Sequence, residues 1–221
     1  MALGVKFIRK SGILVSKFIS VLLVLLYIGQ SAFIIYLVQD RHELQNILRE
    51  QQLKINELEE KLKILDIIEE FQVGFKDQEV AQLTQVIYHE SKKYGYDPLL
   101  ILALILTESS LRKGQVSEMG ALGLMQVKPS VGCALSQRRG IHWKGELSLF
   151  EPAFNIKLGT LYLFELILKF KDVKKAIIAY NLGENALKLR LKEGQRLPTY
   201  YLSKVLKKYK ELRGKYDRRR G

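Results

Sequence analysis

The first residue in this chain placed to do chemistry is an acid at the end of an apolar run. Residues 97–114 read DPLLILALILTESSLRKG, apolar without a break from Leu99 to Leu106 and followed by Thr107 and Glu108. A helix that is apolar all round is a buried helix, and a carboxylate is almost never fully buried without a partner. Glu108 therefore falls where a buried helix gives way to Ser109, Ser110 and a glycine-rich stretch. Apolar surroundings disfavour its ionised form, and the partial negative charge at a helix C-terminus disfavours it further. Both effects raise the pKa, and an acid that keeps its proton near neutral pH is what general acid catalysis needs. The plainer alternative for Glu108 is an ion pair with Arg112 or Lys113, or exposure to solvent.

Other chemistries find little support. The single cysteine, Cys133, allows no intrachain disulfide. The three histidines, His42, His89 and His142, lie far apart, so no zinc-type spacing arises. No glycine-rich phosphate loop is present. The expectation is an activity without metal or organic cofactor. The formal net charge of +13, from 36 basic and 23 acidic residues, points to anionic partners: nucleic acid, a membrane surface or an acidic polymer. Much of the excess is C-terminal, where residues 204–220 hold nine basic and two acidic residues. This tail reads as a solvated segment or as a site of attraction to anionic polymers or lipid headgroups.

The elements that must hold Glu108 are helical. Residues 18–39, FISVLLVLLYIGQSAFIIYLVQ, carry no charge and exceed the roughly 20 residues a helix needs to cross a bilayer. Lys6, Arg9, Lys10 and Lys17 precede them, while Asp40, Glu43 and Glu50 follow. The positive-inside rule then leaves residues 1–17 in the cytoplasm and carries the rest across. A cleaved signal peptide with Gly29 and Ser31 at the cleavage site is the rival reading; the apolar run continues past it, which favours an anchor.

Residues 40–73 read as a helical stalk. Leu48, Ile55 and Leu62 fall at a, and Leu44, Gln51, Leu58 and Leu65 at d, of a heptad repeat. The seam is expected to pair with another chain, as in a homo-oligomer, or to pack on the domain. From Asp77 to Leu212 the periodicity is helical and globular, with Asp97 as an N-cap before Pro98. Residues 114–151, rich in glycine, read as mostly loop and short turns. No alternating strand is expected, and residues 213–221 form a basic tail.

The blocks ILTESSLRKG, VSEMGALGLMQVKP, FNIKLGTLYL and AYNLGENAL, in this order, resemble the soluble-type lytic transglycosylase family, which shares the goose-type lysozyme fold. The resemblance covers roughly residues 78–206. It implies an all-α, lysozyme-like domain that acts on peptidoglycan glycan strands. It matches Glu108 to the single catalytic acid/base, and Ser117, Met125, Gln126, Tyr180, Asn181 and Tyr201 to the sugar-binding cleft. Asn155 and Gly159 match a structural helix after the LFEP turn, where the family often has an aspartate. The last block, RLPTYYLSKVL, lacks the usual Glu-Thr before Tyr201, which leaves the sugar contact of that glutamate without a counterpart.

The mechanism implied is cleavage of the β-1,4 bond from N-acetylmuramic acid to N-acetylglucosamine, giving a 1,6-anhydromuramoyl end, with the substrate's own N-acetyl group replacing a second carboxylate. The anchor would place the protein as a single-pass protein in the bacterial inner membrane, with its domain in the periplasm or outside. That location argues against nucleic acid as the partner. A lysozyme-type hydrolase of the same fold and a non-catalytic wall-binding scaffold are the competing functions; intact GLMQ and AYN blocks speak against the scaffold.

Overall fold

The computed structural model describes residues 2–216, with side chains from Ile19 onward. The side chains of Lys6, Arg9, Lys10 and Lys17, and the tail residues 217–221, lie outside the described residues. The described chain is all-α; isolated bridges replace strands. It divides into two units at Glu57 and Leu58.

Among the described residues the first unit is helical throughout, as part of helix α1 (Ala2–Phe71). From Ile19 to Val38 its large apolar side chains are exposed, and the segment is long and apolar enough to cross a membrane. The heptad residues Leu44, Leu48 and Ile55 are also exposed.

The second unit begins with the last turns of α1. Here the buried residues are Ile64, Ile67 and Ile68, with Phe71 partly covered. Their i, i+3, i+4, i+7 spacing is that of a helix facing a core. This face differs from the heptad seam, whose Leu58 and Leu62 stay exposed. Lys92 pairs with Glu60 at 2.6 Å, and Glu70 accepts from Lys215 and Tyr216. Gly74, at φ 87°, ends the segment and turns the chain into α2 (Asp77–Tyr94).

The core is built around α3 (Pro98–Ser109). Ile101, Leu102, Ala103, Leu104 and Ile105 are fully buried, so every side of this helix meets protein. Asp97 caps it by accepting from the Leu99 N–H at 2.9 Å, and Pro98 occupies the first turn. Each large side chain so buried contributes about 1.5–3 kcal/mol. Helix α8 (Tyr200–Tyr216) packs along α3, while α5 (Pro152–Phe170) packs on α2 and on α6 (Val173–Leu182). Helix α7 (Glu184–Lys192) follows α6 after Gly183.

The region expected to be mostly loop holds a full helix, α4 (Pro129–Arg139), and a short 3-10 helix (Glu146–Phe150). The misleading residue is Gly132. A Cβ there would lie 2.9 Å from the Trp143 ring, so this glycine serves close packing inside a helix and breaks nothing. Pro129 sits at the start of α4, where a missing N–H costs no hydrogen bond.

Between α3 and α4 the chain is held by α5. Asn155, fully buried, accepts from the Met125 N–H at 2.8 Å and donates to the carbonyls of Leu122 and Leu149. Met125, also fully buried, rests on Gly159, where a Cβ would come within 2.6 Å of its sulfur. We expect Asn155→Ala to lose about 3 kcal/mol, because the buried Met125 N–H and Leu149 carbonyl lose their partner and the Leu122 carbonyl is left with the Val127 N–H alone. Gly159→Ala should cost about 1–3 kcal/mol by overpacking. Urea denaturation of the full chain in detergent measures both; a Gly159→Ala protein as stable as wild type would show that Met125 moves aside freely.

Candidate active site

Glu108 is the penultimate residue of α3, and the chain leaves the helix through an unusual turn. Ser110 and Leu111 both have positive φ, 53° and 56°. Consecutive non-glycine residues in this region are strained, at a cost of about 1 kcal/mol or more each. The turn is held from two sides. The Leu111 side chain is fully buried. The Val73 N–H donates to the Leu111 carbonyl at 3.1 Å, and the Lys113 N–H donates to the Val73 carbonyl at 3.0 Å. Thr107 and Ser109 donate their hydroxyls to the carbonyls of Ala103 and Ile105, so neither competes for Glu108.

The Glu108 side chain lies in a cleft of about 470 Å³, largely but not wholly buried. Lys113 pairs with Glu79 instead. The partner of Glu108 is Tyr201 on α8, whose hydroxyl donates to its carboxylate. Burial pushes the Glu108 carboxyl up from 4.5 to about 7, and the Tyr201 hydrogen bond works against that rise by favouring the carboxylate. Burial, with the charge and the hydrogen bond of Glu108, drives the Tyr201 phenol far above its ordinary value, so it remains a donor.

Ser117, Gln126, Tyr180 and Asn181 line the same cleft. Ser117 accepts from the Ala121 N–H at 2.9 Å, which closes the loop that carries it. Gln126 adopts φ 48°, and its amide donates to the carbonyls of Gly123 and Gln115 at 2.8 and 3.2 Å. Both of its N–H donors are thus engaged, and only its amide oxygen is left for a ligand. Tyr180 donates its hydroxyl to the Met125 carbonyl at 2.8 Å, so its proton supports the turn. The phenol that reaches Glu108 is Tyr201.

Met125 departs from the expectation that it lines the groove. Its side chain is fully buried against Gly159 and is absent from the cleft wall; only its carbonyl and N–H take part, as ties to Tyr180 and Asn155. Tyr201 reaches the site through Glu108 rather than along the cleft wall. The sequence reading missed Met119, Lys128 and Tyr162, which also line the cleft. Tyr162 had a signal: it follows Gly159 by three residues on one helix and stacks on Tyr180 with ring centroids 5.3 Å apart. Met119 and Lys128 fall inside the VSEMGALGLMQVKP block, but both are exposed and nothing in their own spacing sets them apart from its other residues. Glu118 is exposed, and Glu165 and Glu184 pair with Arg138, Arg139, Lys169 and Lys188. Among the described residues lining the cleft, Glu108 is the only carboxylate. Groups of His, Cys, Asp and Glu able to hold a metal ion are absent among the described residues.

The transglycosylase SLT domain matches residues 85–203, and the chain belongs to that family. A membrane-bound lytic murein transglycosylase E of Buchnera aphidicola is 43% identical over 75 residues, covering 33% of this chain and 35% of the relative. An endo-type membrane-bound lytic murein transglycosylase A of Klebsiella pneumoniae is 46% identical over 74 residues, covering 32% of this chain and 36% of the relative. The match thus spans about a third of the length of these curated relatives. Among solved structures, an inactive mutant of the lytic transglycosylase Slt from Pseudomonas aeruginosa aligns with a TM-score of 0.47 at 28% identity, over 60% of this chain and 21% of that one.

Two outcomes follow from the electrostatics. Glu108 binds its proton more tightly folded than unfolded. Below about pH 4.5 both states are protonated and the residue leaves stability unchanged. Between about 4.5 and 7 only the unfolded state ionises, so stability falls as pH rises, by on the order of 3 kcal/mol in all. Glu108→Gln should therefore melt higher than wild type at pH 8 and like wild type at pH 4. Tyr201→Phe removes the bond that favours the carboxylate, so the Glu108 pKa should rise above about 7. Carboxyl-carbon NMR titration reads that value; an unchanged or lower pKa would exclude the hydrogen bond as a determinant.

Proposed function

We propose that this chain is a membrane-anchored peptidoglycan lytic transglycosylase with Glu108 as its sole acid/base. The observation that carries the reading is a lone carboxylic acid, buried enough to hold a proton near pH 7, in the cleft of a transglycosylase SLT domain. The names of the relatives support the same activity.

Protonated Glu108 donates its proton to the glycosidic oxygen between N-acetylmuramic acid and N-acetylglucosamine. The C1–O bond breaks, and the substrate's N-acetyl oxygen stabilises the cationic centre at C1. Glu108, now a carboxylate, takes the proton of the muramoyl C6 hydroxyl, whose oxygen bonds to C1. The ends are a free N-acetylglucosamine 4-hydroxyl and a 1,6-anhydromuramoyl group, and Glu108 is protonated again. Water is not consumed. The Tyr201 hydroxyl steadies the carboxylate between the two transfers. Ser117, Gln126, Tyr180 and Asn181 contact and orient the sugars, with Gln126 and Tyr180 acting as acceptors.

In this reading residues 18–39 anchor the chain in the inner membrane in a single pass. Residues 40–73 form the stalk, 77–212 the catalytic domain, outside the cytoplasm, and 213–221 a basic tail. The exposed heptad residues Leu44, Leu48, Ile55, Leu58 and Leu62 support self-association through the stalk.

Muropeptides released from purified wall by the full chain, analysed by mass spectrometry, test the chemistry. Anhydromuramoyl ends are expected from wild type; reducing ends would establish a hydrolase instead. Glu108→Gln should reduce release by a factor of about 10³ or more, since the same group serves both proton transfers. Activity of the wild type should decline as pH rises through about 7, where Glu108 loses the proton it must donate.

A further inference from the structure

Lys128 stands in the cleft wall without a role in the chemistry just described. It is the N-cap residue of α4, a position that favours side chains able to accept a hydrogen bond. Its side chain makes no cap hydrogen bond. A cation near a helix N-terminus is also electrostatically unfavourable. Lysine here gives α4 no cap, as Lys76 gives α2 none, so what sets Lys128 apart is its place in the cleft wall. Its side chain is exposed, and among the described residues its ammonium has no ion-pair partner. It is the only cation among the described residues lining the cleft. The Glu108 pKa is set by burial and Tyr201, so Lys128 is not an electrostatic partner of the acid.

The substrate supplies a matching anion. A muramoyl residue carries its stem peptide on the lactyl ether at C3, two ring carbons from the C1 that reacts, and that peptide bears free carboxylates. We propose that Lys128 is a specificity residue: its ammonium pairs with a stem-peptide carboxylate and makes the cleft prefer strands whose peptides carry that charge. The proposal rests on the reading of the cleft as a glycan-strand site. A single mobile ammonium selects charge rather than shape, so arginine should replace it.

The test uses the full chain in detergent with Glu108→Gln, so that bound strands stay intact. Two probes are compared by equilibrium binding: soluble peptide-bearing muropeptide strands, and the same strands with peptide carboxylates converted to amides. The native strands should bind roughly five- to tenfold more tightly, as a charged hydrogen bond in a half-enclosed cleft provides. Adding Lys128→Gln should bring the ratio near one, and Lys128→Arg should keep it. Raised salt should shrink the ratio for the lysine protein. A ratio unchanged by Lys128→Gln, or no preference in the parent, overturns the proposal. Because binding is read without turnover, a Lys128-dependent preference together with no anhydromuramoyl release from wild type would overturn the catalytic reading alone.

Discussion

The cleft depends on one buried side-chain amide. Asn155 satisfies the Met125 N–H and the carbonyls of Leu122 and Leu149, three backbone groups from two segments outside the α-helices. Irregular backbone can be buried only where its polar groups find partners, and a side-chain amide supplies both kinds at once. The steric terms agree with the polar ones. Gly123, at φ 78°, leaves no room for a Cβ, which would lie 2.3 Å from the Asn155 amide nitrogen. Gly159 opens the space that Met125 fills. Tyr180 then ties the Met125 carbonyl to α6. The turn that carries Gln126 is thus fixed to α5 and α6 at once, and the cleft wall inherits the rigidity of the core.

The acid itself is set by α3, whose burial does two things. It fixes the Glu108 backbone, because a helix that meets protein on every side has no freedom to rotate. It also removes water from the carboxyl, which raises the pKa. The left-handed pair Ser110 and Leu111 lets the chain leave the helix immediately after Glu108, with Leu111 anchored below and Val73 bonded alongside. The strain is confined to the turn beside the acid, where stored strain is commonest in proteins.

Tyr201 shows how two opposing effects set one proton affinity. Burial alone would raise the Glu108 pKa further, and the phenol moderates it by stabilising the charged form. An acid/base used twice in one cycle needs a value near the working pH, since it must both give and take a proton. The tyrosine proton of α6 is spent on backbone, and that of α8 on the acid. The sequence treats these two tyrosines alike; their hydrogen bonds separate them.

Much of this was legible in the sequence, for a physical reason in each case. Asp97-Pro98 before an apolar run announces α3 because capping and burial are local and periodic. The raised pKa of Glu108 could be anticipated because the apolar residues that desolvate it adjoin it in the chain. The charge-free segment 18–39 and the heptad that follows are likewise patterns of neighbours. What the tertiary structure decided involves residues far apart in sequence. Tyr201 meets Glu108 from a helix 93 residues away, and Asn155 holds Met125 from 30 residues on. Gly132 reads as a loop residue until Trp143 is seen against it. Met125 reads as a cleft residue until Gly159 is seen beneath it. Local sequence determined most of the helices, α4 excepted, and set the acid near the end of its own; packing decided which tyrosine serves the acid, which methionine serves the core, and which lysine is left facing the cleft.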